Sequence, residues 1–236
     1  MVTAADPART DGAARTSVWL ADRGRGGRRR SEQPAGLDRG KITTASVRLL
    51  DAEGLAGFSM RRLAAGLGVT AMSLYWYVDT KDDLLELALD AAFGETPLPT
   101  AVDPRPAGPE APGPHAPAPG TTPDGPTDGP AAWTAGLREL ARGYRGLLEA
   151  HPWVPPLAAV YPNIGPHARA FDATLQRLLG ATGLPAAGRA GAHLAVSQFL
   201  HGCGALRRAP EGDFRFALDV LVAGLEAQAG RAGRRT

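Results

Sequence analysis

Side chains able to do chemistry are unevenly spread along this 236-residue chain. The densest cationic stretch runs from Arg23 to Arg48, with eight Lys/Arg against only Glu32 and Asp38. That local excess suits phosphate binding, although 26 basic and 24 acidic residues leave the whole chain nearly neutral. Within it Arg28, Arg29 and Arg30 have two readings: an arm that reaches along DNA, or a solvated arginine-rich tail. The sequence offers no Ser/His/Asp or Cys/His motif, no phosphate-binding glycine loop and no carboxylate pair at metal-ligand spacing. His193, Ser197 and His201 share one helical face. The two histidines would lie ~12 Å apart along the axis, too far to chelate one metal. They either line a cavity or are satisfied polar groups. The single cysteine, Cys203, excludes an intrachain disulfide and suits a reducing cytoplasm. No enzyme, cofactor or metal site is expected.

The clearest elements to position such groups lie between Ser59 and Lys81. Ser59 can cap a helix whose face is Leu63, Ala64 and Leu67, and Gly68 allows a sharp turn. Thr70 then opens a second helix, Ala71 to Val78. Leu74, Trp76 and Val78 turn inward there, and Tyr75 and Tyr77 keep polar tips available. Thr80 followed by Asp83 makes a capping-box-like start for the next helix. This is a helix-turn-helix pattern, whose natural partner is the DNA major groove. Upstream, Ile42, Ala45, Leu49 and Leu50 mark a helix from Asp38 to Glu53, ended by Gly54. Downstream, Lys81 to Phe93 is apolar on more than one side, as befits a helix wedged between two domains.

Residues 1–36 lack helical or strand periodicity and are expected to be disordered. Between Glu95 and Pro130, twelve of 36 residues are proline and five are glycine, which predicts an extended linker or loop. Helical period returns with Trp133, Leu137, Leu140, Tyr144, Leu147 and Leu148, and His151-Pro152-Trp153 stops it. Further helices are predicted at Ala168–Leu179, from Pro185 to Leu206, and at Asp213–Gln228. The chain reads as all-α: an arm (1–36), a DNA-binding domain (37–94), a linker (95–130) and a larger helical domain (131–230). No apolar run approaches the ~20 residues of a membrane span, so a soluble, cytoplasmic protein is expected.

The stretch FSMRRLAAGLGVTAMSLYWYVDTKDDLLE, with Gly54 upstream, resembles the DNA-binding domain of the tetracycline-repressor (TetR) family. FRFALDVLVAGLEAQ is similar to the last helix of tetracycline-repressor-type C-terminal domains. The resemblance implies that Arg61 contacts DNA and that Ala71, Met72 and Ser73 face base edges. Tyr75, Tyr77 and Lys81 would hold phosphates. It also implies an effector site in the second domain, with Trp153, Tyr161, Asn163, His167, His193, Gln198 and His201 as candidates. A homodimer would form through the last two helices. The implied function is a ligand-responsive repressor that binds a palindromic operator in double-stranded DNA and is released by a small, largely apolar effector. A regulator without a ligand is the alternative; a helical small-molecule-binding protein or enzyme is the remote one.

Overall fold

The computed structural model describes residues 17–20, 37–99, 130–205 and 210–234. Among them there are nine helices and no strand. The first head group comprises α1 (Arg39–Gly57), α2 (Met60–Gly66), α3 (Ala71–Leu74) and α4 (Lys81–Phe93). Its helix starts follow local side-chain chemistry. Asp38, Ser59 and Thr70 each accept a hydrogen bond from a backbone N–H three residues on. Thr80 and Asp83 form the reciprocal capping box, with both bonds at 3.0 Å. Gly54 and Gly68 both take φ of +67°, the left-handed region where a side chain would be strained. Gly54 bends α1 rather than ending it, and one further turn runs to Gly57. Ile42, Leu50, Leu63, Leu74 and Leu84 fill the core between these helices.

The recognition segment departs from expectation. Helical geometry stops at Leu74, and residues 75–77 form turns rather than a helix reaching Val78. Side-chain directions change accordingly. Tyr77, rather than Trp76, packs against the core, while Trp76 is half-buried outside that cluster.

The second domain contains α5 (Pro130–Ala150), α6 (Val154–Ala158), α7 (Pro166–Gly180), α8 (Ala186–Ala205) and α9 (Glu211–Gly233). All six apolar positions expected on α5 are buried, as are Phe171, Leu175, Leu178 and Leu179 on α7. Helix α5 lies at the centre of this domain, against α7, α8 and α9. Arg138 and Arg145 of α5 pair with Asp219 and Glu211 of α9. Helix α4 is buried along most of its length and packs on α1, α6 and α7, so it belongs to both domains.

Two short stretches of the expected arm and linker are packed against the helices. Residues 17–20 are docked: Val18 and Trp19 pack against the core, and the buried Ser17 hydroxyl donates to Glu86 of α4. Glu95 to Pro99 is likewise seated on the second domain. Thr96 lies against Gly143, where a Cβ would stand 3.2 Å from the Thr96 methyl, and Arg177 donates to Pro99 O at 2.9 Å. Arg28, Arg29, Arg30 and residues 100–129 lie outside the described residues.

Glu86 is a buried acid that takes a donor from the docked segment. Ser17→Ala strips that donor and should cost about 1–3 kcal/mol in urea denaturation, the range for a buried charged acceptor left unpaired. A change below about 0.5 kcal/mol would show that the segment does not hold Glu86 in solution.

Candidate DNA-reading head, sensing cavity and the seam between them

The residues expected to face DNA differ in access. Arg61 is exposed, Met72 is 71% exposed and Tyr75 is 38% exposed. Ala71 is half-buried against the core, and Ser73 shares a 2.9 Å hydrogen bond with Thr70. Tyr77 has its ring in the core edge. Lys81 Nζ donates to Phe58 O at 3.1 Å and lies 5.5 Å from the Phe58 ring centroid. It thereby satisfies a carbonyl at the end of α1, with two further N–H donors for a phosphate. Arg62, next to Arg61, is taken by Glu53 of α1. Methionine is thus the most open side chain of the short helix, and no amide group is there to read adenine.

The seven effector candidates do not form one site. Asn163 and His201 line a cavity of about 150 Å³ with Phe93, Tyr144, Phe171 and Asp172. His193 Nε2 lies 2.7 Å from the acceptor Asp172 Oδ1, and the residue lines a separate hollow of about 370 Å³. Gln198 is exposed. Trp153, Tyr161 and His167 belong elsewhere, at the seam between the two domains.

That seam is polar and centred on carboxylates of α1 and α4. Asp51 Oδ1 of α1 accepts from Trp153 Nε1 and faces His151 Nδ1, each at 2.6 Å. His151 Nε2 lies 3.1 Å from Glu95 Oε2. On α4 the acids Asp82, Glu86 and Asp90 recur every four residues, so they run along one side of the helix. Tyr161 donates its hydroxyl to Asp82 at 2.7 Å, and Ser17 serves Glu86. Asp90 Oδ1 accepts the backbone N–H groups of His167 and Ala168, each at 3.0 Å. A carboxylate of one domain therefore caps a helix of the other, where N–H groups and the helix dipole both favour negative charge. Gly165 permits this approach, because a Cβ there would overlap the Asp90 carboxylate and stand 2.8 Å from Asp90 Cβ.

Sequence reasoning missed Asp51, Asp82, Asp90 and His151. One signal was available: three acids four residues apart, running down a helix rich in Leu and Ala, must find donors once that helix is buried.

Comparison with known proteins fits this arrangement of a helix-turn-helix head on a larger helical domain. Residues 42–88 match the model for bacterial regulatory proteins of the tetR family, and residues 125–213 match the tetracyclin repressor-like C-terminal domain. An HTH-type transcriptional regulator of Saccharopolyspora erythraea is 36% identical over 166 residues, covering 70% of this chain and 59% of that protein. The HTH-type transcriptional repressor DrrR1 of Streptomyces coeruleorubidus is 36% identical over 156 residues, covering 66% and 47% respectively. The chain thus spans about half the length of these relatives. Among solved structures, a TetR variant from Acinetobacter baumannii in complex with minocycline matches with a TM-score of 0.58 at 25% identity. The match covers 81% of this chain and 97% of that one. The chain belongs to the tetR family of bacterial regulatory proteins.

Two outcomes test the seam. Gly165→Ala should destabilise the protein by about 1–3 kcal/mol, the usual cost of overpacking a tight site. In denaturant melts the double variant with Asp90→Gly should be no less stable than Asp90→Gly alone, because the new methyl meets the Asp90 side chain from its Cβ outward. Additive losses would mean that Gly165 serves another purpose.

His151 titrates in the same seam. Burial alone would lower its pKa, but hydrogen bonds to Asp51 and Glu95, together with their charges, outweigh it and leave the pKa raised above 6.5. A raised folded pKa gives stability that is fully present below pH 6.5 and is lost as pH rises through the folded value. Denaturation midpoints should therefore fall over the interval just above pH 6.5, and His151→Gln should flatten that slope. An equal slope in the variant would assign the pH dependence to other groups.

Proposed function

We propose that this chain is a homodimeric, ligand-responsive repressor of transcription, working in the cytoplasm on a palindromic operator in double-stranded DNA. The observation that carries the reading is the exposed segment after the Gly68 turn. Met72 and Tyr75 project there, with Arg61 exposed beside them and Lys81 at the next helix start. Met72 meets base edges through apolar contact with thymine methyls, while Tyr75, Tyr77 and Lys81 fix register on phosphates. Repression, rather than activation, is supported by the name of the DrrR1 relative.

An exposed apolar face supports pairing through α8 and α9. Leu194 is 60% exposed, and Phe216 and Val220, one turn apart on α9, are 72% and 57% exposed. Close by, the small residues Gly188, Gly191 and Ala195 line a groove of about 870 Å³ between the same two helices. Large apolar side chains beside a groove walled by small ones suit burial against a second copy. Two recognition segments would then enter successive major grooves one helical turn apart.

The cavity behind Phe93 is the effector site in this reading. Its wall includes Asn163 and Ala168, in the same segment that carries Tyr161, Gly165 and His167 on the α4 acids. A ligand that moves this segment changes how α4 is held. It shifts the dimer between DNA-competent and incompetent arrangements only if it binds them unequally.

The test uses a duplex selected from a random pool by the wild-type protein. Tyr75→Ala should weaken dimer binding by on the order of a hundredfold or more, because each of the two half-sites loses a charge-assisted phosphate hydrogen bond of about 1.5–3 kcal/mol. Phe216→Glu should leave the fold intact and give monomers in analytical ultracentrifugation. Unchanged DNA affinity in a dimeric Tyr75→Ala protein would overturn the assignment of the reading head. A folded Phe216→Glu dimer would place the interface elsewhere.

A further inference from the structure

The cavity that is read above as the effector site also constrains what enters it. Its volume is about 150 Å³. An apolar protein cavity of about that size accommodates a single benzene ring. Three aromatic side chains close one side: the ring centroids of Phe93, Tyr144 and Phe171 lie 5.5 to 6.1 Å from one another. Ala168, Leu175 and Leu200 add aliphatic surface. His201 is exposed and Ser197 half-buried, so the mouth lies on their side.

Polarity in this cavity is sparse and one-sided. Asn163 donates Nδ2 to Ala158 O at 3.3 Å, which fixes the orientation of the amide. Its Oδ1 is buried and has no hydrogen-bond partner in the protein. A buried acceptor left unpaired costs free energy that a donor brought in by a ligand would recover. The second polar group is the Asp172 carboxylate, which accepts from Gln176 Nε2 at 2.6 Å and faces His193 at 2.7 Å. His201 Nδ1 is engaged by Ser197 O at 2.7 Å. No Lys or Arg is among the described residues that line the cavity. An incoming carboxylate or phosphate would meet an acceptor and a negative charge, with no Lys or Arg among the described lining residues to offset them.

We propose that this cavity takes a single aromatic ring bearing an uncharged hydrogen-bond donor, of the phenol or aniline class, with Asn163 Oδ1 as its acceptor. The proposal rests on reading the cavity as the effector site. The ring packs on Phe93, Tyr144 and Phe171, and any larger body of the effector leaves past His201. The anchor is also a lever. Asn163 sits two residues from Tyr161, which holds Asp82, and two from Gly165, which lies against Asp90.

The experiment titrates the full chain with phenol, toluene and benzoate by ligand-observed NMR. Partition from water alone favours toluene, so a preference for phenol reports an acceptor inside the cavity. Phenol should bind about fivefold to tenfold more tightly than toluene, the scale of one recovered hydrogen bond, and benzoate should be weakest. Asn163→Leu should abolish the phenol preference while still binding toluene. Asn163→Ser, shorter and still polar, should lose the preference too and serves if the leucine variant does not fold. Toluene binding as well as phenol in the wild type, benzoate equalling phenol, or a preference that survives both substitutions would overturn the proposal. Binding of the selected duplex is scored separately. A protein that binds DNA without preferring phenol loses only the ligand class, and one that prefers phenol without binding DNA loses only the regulator reading.

Discussion

The carboxylate of Asp90 on the N-terminus of α7 is the contact on which the two-domain arrangement depends. It joins the last helix of the head to α7 of the second domain through two backbone N–H groups. Neither group can be replaced by a side-chain substitution, and the N-terminal residue that admits the carboxylate is a glycine. Such a bond is directional as well as favourable: it fixes where α7 begins relative to the axis of α4. Apolar burial along the rest of α4 supplies attraction without that precision. The other rungs, Tyr161 on Asp82 and Ser17 on Glu86, set the rotation of α4 about its own axis.

In the proposed regulator α4 has to be moved, and a polar seam suits that. Two domains joined only by interdigitated leucines would resist small displacements, because close-packed cores are not continuously deformable. Hydrogen bonds to carboxylates can exchange partners or admit water at modest net cost. Asp51, with His151 and Trp153 both on one oxygen, extends the same design to α1. The head is thereby held at two places, α1 and α4, and each is held through an acid. Its own core stays apolar, from Ile42 to Leu84, so it can turn as a unit.

Much of this was legible in the sequence where the cause is local. Caps at Ser59, Thr70 and Thr80 need only their own next three residues, and they form as expected. The stripes of α5 and α7 follow helical period and are buried as read. The failures share a different cause. Trp76 and Tyr77 were assigned by continuing a helix past Leu74, and the period lost its meaning where turns begin. His151 and Trp153 read as a helix stop, because the carboxylate that employs them lies 100 and 102 residues upstream. Residues 17–20 are too few to show a period, and they are held by distant partners, the core under Val18 and Trp19 and the acid at Ser17. The effector candidates, chosen by residue type, scatter over the cavity, the seam, a second hollow and the open surface for the same reason: polarity marks a group that needs a partner without saying which partner.

That division has a mechanical consequence. The segment from Tyr161 to Ala168 contributes one wall of the cavity and two of the hydrogen-bonded rungs on α4. Between these rungs lies Asn163, whose amide is tied on one side to the end of α6 and open on the other. Under the proposed function, a bound group need not push on α4 directly. It competes for the position of a short irregular segment that has few bonds of its own, and this segment in turn sets the capping of α7 by Asp90. The free energy available for switching is only the difference in ligand affinity between the two arrangements. A segment held by a few hydrogen bonds, each worth about 1 kcal/mol net, is a load that one buried aromatic ring with one donor is able to shift. A seam built from the same area of packed leucine would need far more.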